Sequence, residues 1–260
     1  MSNSLHLHDG RLYIGISIIF LLCAILNFVV KTGLAKKMMV AFIRSIIQLI
    51  FLGVVINYLF QLPGELFIFP IMLMVFAASM REASIKKIDL IIQRYFSIFF
   101  SVLPMGALSI YIINQEQLLN AKLVIPIFGM LIGNSLNGVV LGIERFQREL
   151  QHHQQLFISD LSLGLSPIYA AKKYIQVALR AAMTPILNAM SIVGIVSIPG
   201  MMTGQLLAGA SPIEASKYQL LILVAIMGTI FIGAVFGVLW SLKSYTKNHY
   251  TFLSGRLRNG

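Results

Sequence analysis

YQLLILVAIMGTIFIGAVFGVLWSL, residues 218–242, is the stretch that decides the fold, because it runs for 25 residues without a charge. About 20 apolar residues are the length that an α-helix needs to cross the hydrocarbon core of a bilayer. A helix satisfies its backbone hydrogen bonds internally, which lipid requires. The stretch therefore predicts a transmembrane helix.

Six further apolar runs precede it, at residues 12–30, 38–60, 66–80, 95–114, 123–143 and 181 to about 203. Composition agrees with them, because 58% of the residues are hydrophobic, 11% are charged and the mean hydropathy is +0.85. A soluble domain of 260 residues could not bury that much apolar surface. The sequence predicts an all-α integral membrane protein with about seven transmembrane helices.

The Lys and Arg residues lie in short clusters between the runs. Alternating sides along the seven runs puts sixteen of them on one side and three, Arg11, Lys122 and Lys217, on the other. Positive residues concentrate on the cytoplasmic side of membrane proteins. This asymmetry predicts a multi-pass membrane protein with its N-terminus outside and its C-terminus inside. The net charge of +11 is then a topology signal that indicates lipid as a partner and not nucleic acid.

One polar segment, 144–180, is long enough to form structure outside the membrane, and the chain as a whole is predicted to be a single transmembrane domain over residues 1–260. At the start of this cytoplasmic segment four apolar residues share one helical face, which predicts that the fifth span continues beyond the membrane as a helix. They are Ile143, Phe146, Leu150 and Phe157.

The same segment then contains a sharp break between two helices, which we call the elbow. Gly164 suits a left-handed helix end, Ser166 an N-cap and Pro167 the first position of a new helix, which is predicted to run directly into the membrane near Pro185. A rigid elbow here is a surface that a soluble motor could push against. It consists of Leu161, Ser162, Leu163, Gly164, Leu165, Ser166 and Pro167.

Arg44 lies inside the second run, with Gln48 one turn later. An arginine at the centre of a span costs about 2.5–3.5 kcal/mol on insertion scales and faces protein, water or a membrane surface. One interpretation is that Arg44 reaches the cytoplasmic surface or fixes a neighbouring helix. The other is that Arg44 and Gln48 line a transport path.

Three asparagines also fall within predicted spans, and the two interpretations of them are a polar route between helices and hydrogen bonds that hold helices together. They are Asn134 and Asn137 in the fifth run and Asn188 in the sixth.

Four consecutive residues, Pro199, Gly200, Met201 and Met202, break the apolar stretch after the sixth span begins. Broken helices in transporters expose backbone and side chains to the transported solute, so this segment is a candidate gate. The alternative is methionine packing in a kinked element. Methionine sulfur suits Cu(I) better than iron, so the pair does not identify a metal, and the metal-binding residues stay unknown.

Pairs of glycines four residues apart are expected to let helices pack closely. They are Gly129 and Gly133, Gly138 and Gly142, and Gly233 and Gly237.

Enzyme functions are disfavoured, because the chain has no Gly-x-x-x-x-Gly-Lys-Ser/Thr loop, no His-Glu-x-x-His motif and no Asp or Glu within the seven runs. The five histidines lie outside the predicted spans, and the one cysteine, Cys23, forms no disulfide framework. No catalytic residue and no bound cofactor is predicted, and ATP would have to be hydrolysed on another chain.

The elbow motif LGLSP, residues 163–167, resembles the coupling loop of ATP-binding-cassette permeases. The chain is similar to the FetB-type permeases of bacterial iron-export ABC transporters, which are related to plant aluminium-tolerance permeases. The stretches that carry this resemblance are RSIIQL at 44–49, PIFGMLIGN at 126–134, LSLG at 161–164 with the following Ser166 and Pro167, and SIPGMMTG at 197–204.

The resemblance implies a homodimer of this permease that docks a separate ABC ATPase at the elbow and exports iron or another metal cation. ATP and Mg²⁺ would be used by that ATPase. Two alternatives stay open: an ABC permease for a sugar nucleotide or another organic solute, and a self-sufficient channel or secondary transporter. The second of these would not need the elbow and more often carries intramembrane carboxylates.

Overall fold

The computed structural model describes residues 2–30, 33–59, 68–81, 88–113 and 121–258. Residues 60, 66 and 114, at which predicted runs begin or end, lie outside this part of the chain. Two compact units are present, Met1–Gln61 and Leu62–Gly260. The helices are α1 (Ser2–Val30), α2 (Ala35–Leu59), α3 (Ile68–Arg81), α4 (Ile88–Ile113), α5 (Ala121–His152), α6 (Gln154–Ser162), α7 (Pro167–Ile192), α8 (Gly200–Leu207) and α9 (Pro212–Arg258).

Several of these helices are long and apolar enough to cross a membrane, which confirms the prediction of an all-α membrane protein. Five segments meet that criterion: Ala35–Ile56, Ile92–Ile113, Val124–His152, Pro167–Ile192 and Pro212–Thr246. Two shorter apolar helices, Ile14–Asn27 and Phe69–Ala78, coincide with the first and third predicted runs. The count of seven spans and the orientation stay predictions.

The sixth predicted run differs from the observed helix. We expected one span from residue 181 to about residue 203, but α7 ends at Ile192 and the chain leaves the helical path before Pro199. Gly194 has a φ of +83°, and its N–H donates to the Ser197 carbonyl over 3.0 Å. Only a residue without Cβ adopts this left-handed conformation at low cost, so the helix breaks at Gly194.

The first unit is a hairpin of α1 and α2. The Phe20 and Phe42 rings stack with centroids 4.3 Å apart, and the Asn27 amide donates to the Met38 sulfur over 3.6 Å. The described side chains of α2 are mostly exposed. In an aqueous protein such a surface would aggregate, whereas lipid or another protein surface can cover it.

The second unit packs around α5 and α9, and glycines set how closely the helices approach. A Cβ on Gly138 would lie 2.6 Å from Ile230, and a Cβ on Gly237 would lie 2.6 Å from Ile143. These distances confirm the close packing expected of most of the glycine pairs. Gly133 differs, because an added Cβ there meets nothing within 4 Å.

A buried polar layer joins α4, α5 and α9. The Gln93 amide donates to the Gly237 carbonyl and to the Ser241 hydroxyl, each over 2.5 Å. One residue further on, Arg94 is buried, and its guanidinium lies 3.8 Å from the Glu144 carboxylate. Buried polar side chains between spans need such partners, since hydrocarbon supplies none.

Candidate functional site

The elbow has the backbone geometry that its sequence predicts. Gly164 has a φ of +88°, its N–H donates to the Leu161 carbonyl, and the Leu165 N–H donates to the Asp160 carbonyl, both over 3.1 Å. This pair of hydrogen bonds is a Schellman motif, in which glycine ends a helix. Glycine is required there because a Cβ is unfavourable at positive φ.

The helix after the break begins as predicted, at Pro167 in the first helical turn. Ser166 occupies the N-cap position in an extended conformation, but its side chain makes no capping hydrogen bond. Its carbonyl instead accepts the Ala170 N–H over 3.0 Å. Proline has no backbone N–H, so at the first position of a helix it leaves one donor fewer that needs a hydrogen-bond partner.

The base of the elbow is a packed core. The four residues Ile143, Phe146, Leu150 and Phe157 are fully buried, as expected. The helical extension of the fifth span is confirmed as far as His152, where α5 ends, and Phe157 lies on the next helix, α6. Three of these residues belong to a hydrophobic cluster that joins α5, α6, α7 and α9: Phe146, Leu150, Phe157, Ala170, Ala171, Tyr174, Ala178, Val238 and Leu242. The elbow is therefore held firmly against the helices that follow it.

The tip of the elbow is apolar and exposed. Leu163 is 79% exposed and Tyr169 is 66% exposed, and Leu165 and Ile168 are exposed beside them. The residues around this tip are polar, and they include exposed Ser162 and Lys173. Large apolar side chains exposed together with polar neighbours are typical of a surface that binds another protein.

The predicted asparagines lie near the closest contact between α5 and α7. A Cβ on Gly138 would lie 3.2 Å from the Ala182 carbonyl, and the two helices run in opposite directions from the elbow. Asn134 is one turn before Gly138 and Asn188 less than two turns after Ala182, about 6 and 9 Å along the helix axes. These two asparagines therefore lie at similar depth.

The asparagines are exposed, and so is Asn137. Asn134 donates to the Met130 carbonyl of its own helix over 2.8 Å. Among the described residues, no hydrogen bond joins any of the three to another helix. Within one chain they form an uncharged polar surface, available to water, to a solute or to a second chain.

Arg44 and Gln48 belong to the first unit. Both are exposed on α2, one turn apart. In the described part of the chain neither takes part in a salt bridge. Both interpretations of this pair stay predictions.

The candidate gate coincides with the start of α8. Pro199 is the N-cap residue, Gly200 is the first helical residue, and Met201 and Met202 are half-buried. The Thr203 hydroxyl donates to the Pro199 carbonyl over 3.2 Å. α8 has no buried residue and packs against α9, so this short helix is held weakly at its place in the fold.

Two glutamines were not selected from the sequence. The side-chain oxygens of Gln205 in α8 and Gln219 in α9 are buried, and neither has a hydrogen-bond partner among the described residues. A buried amide oxygen of this kind accepts a donor or contacts a cation. The available signal was the position of Gln219 inside the charge-free run 218–242, where a lone polar side chain needs a partner.

The described residues contain no group of three or more His, Cys, Asp or Glu side chains placed to hold a metal ion. The polar atoms that the spans present instead are amide, hydroxyl and backbone oxygens. Such oxygens suit hard cations and polar organic solutes alike.

Comparison with known proteins shows which family the sequence matches. The model of the uncharacterised protein family UPF0014 matches residues 11–246. The UPF0014 membrane protein YjkA of Bacillus subtilis is 33% identical over 241 residues, covering 90% of this chain and 93% of the relative. No solved structure is a significant match.

Two further relatives have functional names. The probable iron export permease protein FetB of Escherichia coli is 28% identical, covering 88% of each chain. The protein ALUMINUM SENSITIVE 3 of Arabidopsis thaliana is 25% identical, covering 84% of this chain and 80% of the relative. The resemblance to FetB-type permeases is thus confirmed, and the chain belongs to the UPF0014 family of membrane proteins.

Proposed function

We propose that this chain is the permease subunit of an ATP-driven exporter, and that a separate ATP-binding-cassette ATPase docks at the elbow. The observation that carries the proposal is the elbow itself, an exposed apolar tip around Leu163 on a fully packed base. A partner that pushes on this tip moves α7 directly, because Pro167 starts that helix. ATP and Mg²⁺ are bound by the ATPase and not by this chain.

The transport path forms between two copies of the permease. The exposed asparagines on α5 and α7 support this arrangement, because an uncharged polar surface at membrane depth is costly against lipid but not against water or a second polar surface. Conformational change in the ATPase dimer alternates the path between access from inside and access from outside.

The cargo is iron or another metal cation, moved out of the cytoplasm. The name of the Escherichia coli relative supports this choice. In such a path the amide oxygens of Asn134 and Asn188 replace part of the hydration shell of the ion.

Docking is tested with Gly164→Val in the full chain, co-expressed with an ATP-binding-cassette ATPase encoded beside it. A β-branched residue at a φ of +88° distorts the elbow, so co-purification of the ATPase should fall at least fivefold. Gly209→Val is the matched control, since Gly209 has a φ of +92° and equal space around it. Equal retention of the ATPase by both variants contradicts docking at the elbow.

The cargo is tested in liposomes that contain the permease and the ATPase. Fe²⁺ is expected to stimulate ATP hydrolysis and to be moved against a gradient. If a sugar nucleotide stimulates ATP hydrolysis and Fe²⁺ has no effect, the cargo is an organic solute and not a metal ion. Transport by the permease without any ATPase would make it a self-sufficient transporter and refute the proposal.

A further inference from the structure

A groove of about 370 Å³ lies between the first turns of α7 and the facing side of α9. It is lined by Ile168, Tyr169, Lys172, Ile175, Gln176 and Leu239. Both walls belong to segments that are long and apolar enough to span a membrane, Pro167–Ile192 and Pro212–Thr246. The groove therefore lies at the membrane boundary, at the end of the bundle that carries the elbow.

One lysine lines the groove, and a second lies beyond its edge on α9. Lys172 lines the groove, and its Nζ lies 5.6 Å from the centre of the Tyr169 ring. On the other wall, Lys243 lies one turn beyond Leu239 and so on the same face of α9, and it is exposed. Within the described part of the chain neither lysine forms a salt bridge, so both ammonium groups are available to an anion.

We propose that this groove binds an anionic phospholipid. An acyl chain lies along Ile175 and Leu239, on the membrane side of the lysines, and the phosphate lies between Lys172 and Lys243. Basic pockets between transmembrane helices recognise anionic headgroups in this manner. A soluble anion would make no contact with the apolar walls. A zwitterionic lipid carries a cationic group that the two lysines repel.

This inference is independent of the proposed transport function, because the lipid site needs neither the ATPase nor a cargo. A lipid in the groove touches α7 and α9 directly behind the elbow. Its effect is to hold these two helices together at the point where the chain leaves the membrane.

A tryptophan placed in the groove reports on this site. Trp240, the one tryptophan of the sequence, stacks on Phe96 of α4 with ring centroids 6.0 Å apart, so it is replaced by phenylalanine, and Tyr169→Trp puts the single indole in the groove. The purified full chain is placed in vesicles of phosphatidylcholine that contain a small fraction of brominated phosphatidylglycerol or, separately, brominated phosphatidylcholine. Bromine on an acyl chain quenches a nearby indole, so the ratio of the two quenching effects measures lipid selectivity.

We expect brominated phosphatidylglycerol to quench the tryptophan in the groove at least twofold more than brominated phosphatidylcholine. The variant K172Q/K243Q should bring this ratio to one. The control K36Q/K37Q removes the same charge from exposed lysines of α2 and should leave the ratio unchanged. Gln176→Phe keeps both lysines but fills the groove, and it should also lower the ratio, with circular dichroism confirming that each variant is folded.

Three results would overturn the proposal. A ratio of one in the reporter chain with both lysines means that the groove has no anionic preference. An equal fall in K172Q/K243Q and K36Q/K37Q means that only the overall charge attracts the lipid. Loss of selectivity on addition of glycerol phosphate means that the lysines bind a soluble anion instead of a lipid.

Discussion

At the scale of single residues, glycines decide how closely the helices pack, and the same residue type has different roles on one helix. Gly138 faces Ile230 and the Ala182 carbonyl, whereas Gly133, five residues earlier on α5, has open space. The sequence shows two similar glycines in one apolar run. Only the packed structure shows that Gly138 allows a close helix contact and that Gly133 makes none.

This difference predicts that Gly138→Ala destabilises the protein and that Gly133→Ala does not. The new methyl group of Gly138→Ala would lie 2.6 Å from Ile230 and 3.2 Å from a backbone oxygen, so overpacking should cost about 1–3 kcal/mol of unfolding free energy. Gly133→Ala should stay within about 0.5 kcal/mol of the unchanged chain. Unfolding in mixed detergent micelles, followed by circular dichroism, measures both. Equal values would refute the packing role of Gly138.

Gln219 gives a second prediction at this scale. Because its buried side-chain oxygen has no hydrogen-bond partner among the described residues, Gln219→Leu should leave the unfolding free energy unchanged or raise it by about 1 kcal/mol. Unfolding in mixed detergent micelles measures this change. A fall in the unfolding free energy would show that the Gln219 side chain stabilises the fold.

At the scale of elements, the elbow was predictable and the end of α7 was only partly so. Gly164, Ser166 and Pro167 have strong local preferences, and the face of Phe146, Leu150 and Phe157 follows helical spacing, so local rules were sufficient. The residues after Ile192 are apolar whether they are helical or not. The composition of the segment after Ile192 indicates only that it is apolar enough to lie in a membrane. The position of the break at Gly194 depends on the backbone conformation.

The site was harder to predict than the fold. Asn134 and Asn188 are visible in the sequence as polar residues in apolar runs, but their similar depth follows from the contact between Gly138 and Ala182. Whether the Gln219 side-chain oxygen has a hydrogen-bond partner depends on which donors lie near it in the folded chain. A local sequence pattern does not predict such long-range contacts.

The base of the elbow supplies a matched pair of neighbouring residues in α6. Phe157 is fully buried and Leu156 is 61% exposed. Phe157→Ala should cost about 3–5 kcal/mol through the cavity that it leaves, and the elbow should become sensitive to brief proteolysis. Leu156→Ala should behave like the unchanged chain in the same digestion. Equal sensitivity of the two variants would show that the base is not packed as described.

At the scale of the whole molecule, the topology is the property that the proposed function needs most. The sixteen positive residues on one predicted side predict a cytoplasmic elbow, and the turn between α8 and α9 should then lie outside, because α7 is long enough to separate them. The proposed ATPase can reach the elbow only if this orientation holds.

Labelling with a membrane-impermeant thiol reagent tests the orientation in intact spheroplasts of a Cys23→Ser chain. Ser211→Cys, in the exposed turn before α9, should react at once, whereas Ser162→Cys should react only after the membrane is opened. The opposite pattern would invert the topology and exclude a cytoplasmic ATPase at the elbow. Reaction of both residues in intact cells would mean that α7 does not cross the bilayer.

α7 runs without interruption from the elbow at Pro167 to Ile192, 26 residues or about 39 Å. In the proposed transporter, α7 connects the surface on which the ATPase would push with the backbone break beside Gly194. A rigid helix passes on a displacement at its full size, so the stiffness of α7 would set how much of the ATPase movement reaches that break. Pro185 is the proline inside this helix and so the point at which the helix can bend.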